Sequence, residues 1–141
     1  MPHRKFSSTI RLFVAQRAGF LCEYCHTPED FSPDTFDIEH IISLLKGGTS
    51  DYENLALACG GCNAAKYIHT FWTDPITGIN SPLFNPRTDN WASHFSWSED
   101  FTVLIGQTPK GRATIERLKM NRPRLVNLRK ALLSHGAHPK I

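Results

Sequence analysis

The chain lacks any apolar run near the ~20 residues that a membrane-spanning helix needs, which excludes a transmembrane protein. Its first residues, MPHRKFSSTIRLF, carry basic side chains but neither a long apolar segment nor a small-residue cleavage site. Export is therefore not expected. Cysteine is scarce: four in 141 residues are too few for a disulfide scaffold, and fit a metal site in a reducing cytoplasm better. Internal repeats, low-complexity tracts and Gly/Ser linkers are absent, so one domain is expected over 1–141. What is present is ordinary for a globular protein, with 40% hydrophobic and 21% charged residues. A chain of this length buries roughly two-thirds of its unfolded surface, enough for a core without disulfides.

The net charge of +3 hides an uneven distribution. Residues 1–20 hold four basic side chains (Arg4, Lys5, Arg11, Arg17) and no acid, and residues 110–141 hold nine against Glu116 alone. The stretch between them holds twelve acids and three bases. Basic ends attract a polyanion and an acidic middle suits cations, although the C-terminal bases also fit a solvated helix face.

Periodicity predicts a helix from Ser7 or Ser8 to about Gly19, capped by Ser8 or Thr9. Phe36 to Ile42 alternates as a half-buried strand, Lys46 to Ser50 reads as a turn, and Leu55 to Ala58 as a second short apolar run. Residues 63–68 can start a short helix, and Asp74 to Pro86, rich in Pro, Gly and Asn, is expected to be irregular. Residues 95–97 and 102–105 can pair as a hairpin. Thr108-Pro109 opens a helix to about Met120, and Arg122-Pro123 opens another to about His135, ended by Gly136. Leu125, Leu128 and Leu132 form the apolar stripe of the last helix.

Cys22-Glu-Tyr-Cys25 and Cys59-Gly-Gly-Cys62 are two C-x2-C pairs. Thiolates two residues apart on a tight turn supply half of a tetrahedral zinc shell, and two such turns complete it. The alternatives are disulfides, free thiols or a redox pair, and no strand–CxxC–helix context of the thioredoxin type is visible. The 33 residues between Cys25 and Cys59 exceed the usual knuckle spacing of ~15–20. They house Glu39-His40, Gly47-Gly48 and Asn54, with Asn63 directly after the last cysteine. A carboxylate and an amide oxygen suit Mg²⁺ or Mn²⁺, and an imidazole suits a general base. Lys66, one helical turn past Asn63, would sit near a phosphate drawn to such a metal.

The run FDIEHIISLLKGGTSDYENLALACGGCNAAK resembles the HNH endonuclease family, in the subset with a four-cysteine zinc frame. The resemblance implies an α+β fold with a ββα-metal core over about 20–70, flanked by the N-terminal helix read in 1–20 and by the irregular segment, hairpin and two basic helices read in 71–141. It implies His40 as general base, Glu39 and Asn63 as ligands of a catalytic Mg²⁺ or Mn²⁺, and Asn54 as the brace that orients the base. Cys22, Cys25, Cys59 and Cys62 would hold one structural zinc. The reaction so implied is phosphodiester hydrolysis leaving 5′-phosphate and 3′-hydroxyl ends. Two departures stand out: Glu39 replaces the commoner Asp, and Ser43 replaces Pro, which is expected to loosen the strand exit.

The tail (Leu83 to Arg87, Trp91, His94-Phe95, Gly111 to Thr114, Met120 to Pro123) also resembles a stand-alone bacterial subgroup of that family. With a nuclease site in place, Lys66, Arg112, Arg117, Lys119, Arg122, Arg124, Arg129 and Lys130 become candidate phosphate contacts. The expected partner is a nucleic acid, double-stranded DNA first, although these residues leave DNA and RNA open and say nothing of a partner protein or homodimer. His3, His26, His69, His94, His135 and His138 lack ligand spacing, and Trp72, Trp91 and Trp97 are expected in the core. The competing reading is a non-catalytic zinc module that binds nucleic acid or a partner protein.

Overall fold

The computed structural model describes residues 6–140; Arg4 and Lys5 of the basic N-terminal stretch, and His3, lie outside them. Helix α1, Ser8–Arg17, starts one residue earlier in capping terms than expected. Ser7, not Ser8 or Thr9, accepts the Ile10 amide at 3.2 Å. Left-handed Gly19 follows its end. Buried Val14 and Ala15 face inward, and Arg17 donates to the carbonyls of Tyr52 at 2.9 Å and Leu55 at 2.6 Å.

Strands β1, Asp37–His40, and β2, Leu55–Ala58, form an antiparallel hairpin with Glu39 opposite Ala56 and His40 opposite Leu55. All four β2 residues are buried, so this strand is core on both faces. The expected strand over 36–42 is shorter because Ile41 and Ile42 leave the ladder and bond to Asn54 instead. Helix α2, Gly60–Lys66, begins three residues before the predicted 63–68, because Cys59 caps it and its Sγ accepts the Cys62 amide at 3.4 Å.

The segment expected to be irregular holds a second hairpin, β3 (Phe71–Thr73) with β4 (Asn80–Pro82). Asp74 organises its turn: it accepts from the Ile76 amide at 3.2 Å and the Thr77 hydroxyl at 2.8 Å, and takes the Arg112 fork at 2.9 Å on both oxygens. After α3 (Trp91–His94), β5 (Phe95–Trp97) pairs antiparallel with β6 (Leu104–Gly106), the expected hairpin with its return strand starting later.

Helices α4, Pro109–Leu118, and α5, Pro123–Ser134, close the chain with proline at the start of each. In α5, Leu125 and Leu132 are buried while Leu128 is half-buried. The residue that enters the core beside them is Arg129, 1% exposed. Its guanidinium donates to the carbonyls of Thr102 and Met120 and to Asn121 Oδ1, and lies over the Trp97 ring. These are small antiparallel sheets with separate helices, an α+β fold. Among the described residues no helix is long and apolar enough to cross a membrane.

Candidate active site and metal centre

The two C-x2-C turns meet. The Sγ atoms of Cys22, Cys25, Cys59 and Cys62 all lie within 4.8 Å of one another, and the four residues are buried and free of disulfides. Four sulfurs at about 2.3 Å from a central zinc stand roughly 3.8 Å apart. The Cys25 and Cys59 sulfurs are 3.8 Å apart, so the donor set fits zinc in both spacing and softness. Among the described residues this is the one group of three or more His, Cys, Asp or Glu placed to hold a metal.

Four thiolates on one dication leave a net negative cluster, and Arg122 faces it, with Nη2 at 3.5 Å from Cys59 Sγ and Nη1 at 3.6 Å from Cys62 Sγ. The tail also supports the first turn. Trp91 Nε1 donates to the Tyr24 carbonyl at 2.8 Å, His26 stacks on Trp91, and Arg87 pairs with Glu23.

Across from the thiolates, β1 and α2 make two rungs. A strand points alternate residues to one face, so Asp37 and Glu39 face the same way, and Asn63 and Lys66 share a helix face at i, i+3. Asn63 Nδ2 donates to Asp37 Oδ2 at 3.0 Å. One rung on, Lys66 Nζ stands 3.4 Å from Glu39 Oε2 and donates to the Ile41 carbonyl at 2.8 Å. The Tyr24 hydroxyl donates to Glu39 Oε1. Glu39 and Lys66 are 4% and 2% exposed. Burial raises the Glu39 pKa, and the Lys66 ammonium and the Tyr24 hydrogen bond hold that rise back. Burial, and then the Glu39 charge, push the Tyr24 phenol well up, so it stays a donor.

His40, next along the strand, points to the opposite face. Its Nε2 lies 2.9 Å from the Ser50 hydroxyl, and its ring packs 5.6 Å from that of Phe6. Asn54 fixes the connection beyond it: its Oδ1 accepts the Ile42 amide at 2.9 Å, while its Nδ2 donates to the Ile42 carbonyl at 2.9 Å and the Thr49 carbonyl at 2.7 Å. The paired glycines serve this loop differently. Gly47 takes a left-handed φ of 88°, and a Cβ on Gly48 would lie 1.8 Å from the Ile42 carbonyl oxygen. Ser43, expected to loosen the exit, caps the short turn Leu44–Lys46 by accepting the Lys46 amide at 3.2 Å.

The structure thus joins Glu39 to Lys66 and Tyr24, Asn63 to Asp37, and Asn54 to the loop after His40. Among the described residues no hydrogen bond joins Glu39 to Asn63. Lys66, expected near a phosphate drawn to the metal, is a buried partner of Glu39. The expected basic surface is also thinner than the sequence suggests. Arg129 is in the core and Arg112 is spent on Asp74. Arg117 donates to the Ala65 carbonyl and lies over Trp72, and Arg122 serves the thiolates. Lys119, Arg124 and Lys130 remain exposed. Sequence reasoning missed Tyr24, Asp37 and Ser50, and the role of Arg122 beside the thiolates. Asp37 had a signal, its i−2 spacing from Glu39 on a strand; the others had none outside the folded chain.

Residues 22–67 match the family model described as HNH endonuclease. No curated protein and no solved structure gave a match. The matched residues contain the four cysteines, the β1–β2 hairpin and α2, so the likeness covers both the metal centre and the strands and helix beside it.

Proposed function

We propose that the chain is a metal-dependent endonuclease that hydrolyses phosphodiester bonds in nucleic acid, with His40 as general base. The observation that carries this reading is the HNH match over 22–67, which contains Glu39, His40, Asn54 and Asn63. The oxygen donors fit a hard divalent cation. Asn63 Oδ1 accepts no hydrogen bond among the described residues, since the amide is turned so that its Nδ2 meets Asp37. Mg²⁺ or Mn²⁺ held by Glu39 and Asn63 would neutralise charge on the scissile phosphate and the leaving oxygen.

The chain's own groups divide the remaining work. His40 takes a proton from the attacking water, with the Ser50 hydroxyl against its Nε2 to orient the ring. Asn54 holds the loop that follows His40. Asp37 sets the flip of the Asn63 amide. The four thiolates leave a bound zinc no open position, so in this reading that site is structural and ties the turn at Cys22–Cys25 to the start of α2. Residues 1–141 act as one nuclease unit in this reading, in a reducing cytoplasm that keeps the thiols unpaired. Double-stranded DNA is the first substrate to try, with the exposed Arg124 and Lys130 as candidate backbone contacts.

One observation favours the non-catalytic zinc module instead: Glu39 has a buried counter-charge in Lys66, whose Nζ stands 3.4 Å from its Oε2. His40→Ala separates the two readings. Loss of the base should slow plasmid nicking by about 10²–10⁴-fold while zinc content, fold and nucleic-acid binding stay unchanged. Nicking at the wild-type rate, with contaminating nuclease excluded, removes His40 from the base role and leaves the binding-module reading.

A further inference from the structure

A groove of about 440 Å³ runs between the HNH segment and the tail. Three separate stretches build its apolar lining. Ile41 and Ile42 come from the exit of β1, Phe71 from β3, and Leu83 and Phe84 from the segment after β4. Its base is apolar and closed, with Ile41 4%, Leu83 6% and Phe84 3% exposed, whereas Phe71 stands open at 52%. Lys66 lines it too, and the same side chain is paired with Glu39, so whatever fills the groove sits one residue from the candidate site.

The polar rim carries unused capacity. Among the described residues, the side chains of Lys46, Thr70 and Thr88 make no hydrogen bond or ion pair, and Asn85 Nδ2 meets no acceptor. Asp89 and Lys110 pair with each other at 3.0 Å. An open aromatic ring over an apolar base accepts a flat π-surface. Unspent amide and hydroxyl groups read its polar edge, and an unpaired ammonium at the mouth meets an anion. A nucleotide unit has all three features. The volume lies within the roughly 300–1,000 Å³ of small-molecule sites, the scale of a single nucleotide unit.

We infer that this groove seats one unpaired nucleobase of the substrate against Phe71, with the adjoining phosphate at Lys46. The inference rests on the nuclease reading and refines its substrate class, to single-stranded or locally unpaired nucleic acid. A fully paired duplex must first flip a base, at a cost of a few kcal/mol. This also gives the β3–β4 hairpin a task that the zinc and the β1–β2 hairpin do not require, since its Phe71 and Pro82 line the groove.

The test uses zinc-loaded full-length protein without added Mg²⁺ or Mn²⁺, and a dye-labelled single-stranded DNA oligonucleotide carrying 2-aminopurine. Wild type should bind it more tightly than the matched duplex, with a change in 2-aminopurine fluorescence. Phe71→Ala should weaken that binding roughly 5- to 150-fold, the range for loss of one base–aromatic stack. Phe71→Leu, which keeps the hairpin's apolar contact but no ring, should do the same, and exposed Lys46→Ala should weaken binding and flatten its salt dependence. Unchanged affinity in Phe71→Leu and Lys46→Ala, or a silent 2-aminopurine, overturns the groove assignment even where His40→Ala abolishes cleavage. Groove-dependent binding by a protein that cuts nothing overturns the nuclease reading and leaves the groove standing.

Discussion

The Arg122 guanidinium, between α4 and α5, lies 3.5 Å from Cys59 Sγ and 3.6 Å from Cys62 Sγ. Two sulfurs separated from it by about sixty residues are thereby tied to the end of the chain. Gly61 permits the approach, since a Cβ there would lie 2.5 Å from Arg122 Nη2. Charge-assisted hydrogen bonds to ligating atoms typically change metal affinity 10- to 100-fold. The protein is expected to carry one zinc per chain, and Arg122→Ala to release it about 10- to 100-fold faster to a chromophoric chelator, with Arg122→Lys in between. Release at the wild-type rate would show that the thiolates need no counter-charge from the tail.

Asp37 and Asn63 form the rung nearest the zinc frame. Asp37→Ala leaves the amide free to turn and should weaken Mn²⁺ binding to zinc-loaded protein about 10- to 100-fold, as loss of an orienting partner does elsewhere. Asp37→Asn retains an acceptor oxygen and should recover most of that affinity. Titration calorimetry reads both, and equal Mn²⁺ affinity in all three proteins removes Asp37 from any role toward the metal.

Asn54 makes three hydrogen bonds that hold Ile42 to Thr49 across the loop. Asn54→Ala should destabilise the protein by about 1–3 kcal/mol, at around 1 kcal/mol per bond. Cleavage should fall with it, but by less than in His40→Ala, because the base remains and only its loop loosens. A variant with unchanged melting temperature but fully abolished cleavage would instead give Asn54 a direct part in the chemistry.

The Arg112 fork holds the Asp74 carboxyl well below the usual carboxylate range. A carboxyl depressed in the folded state adds stability above its unfolded pKa of about 3.9, and that stability is lost as pH falls toward the folded value. Asp74→Asn should lower the melting temperature near neutral pH and narrow its gap from wild type as acid is added below pH 4. Parallel melting curves for the two proteins between pH 7 and pH 3 would contradict this linkage.

The sequence by itself determined the four-cysteine frame, the two-stranded core with its helix, and the closing helices. Each rests on residues close together in the chain: two residues between paired thiols, alternation over Asp37 to His40, and proline at the first turn of α4 and α5. The residues proposed for chemistry were legible for the same reason, crowded as they are between Cys25 and Asn63. What only the tertiary structure decided is where each charge is spent. Arg112, Arg117, Arg122 and Arg129 look alike as a basic run. A guanidinium is claimed by whichever carbonyl, carboxylate, ring or thiolate the packing brings to it, and those partners, Asp74, Ala65, Cys59 and Thr102, come from 27 to 63 residues earlier in the chain. Lys66 belongs with them. A buried ammonium without a counter-charge is too costly to keep, so the fold that closes α2 onto β1 must pair it, and Glu39 is the carboxylate it meets.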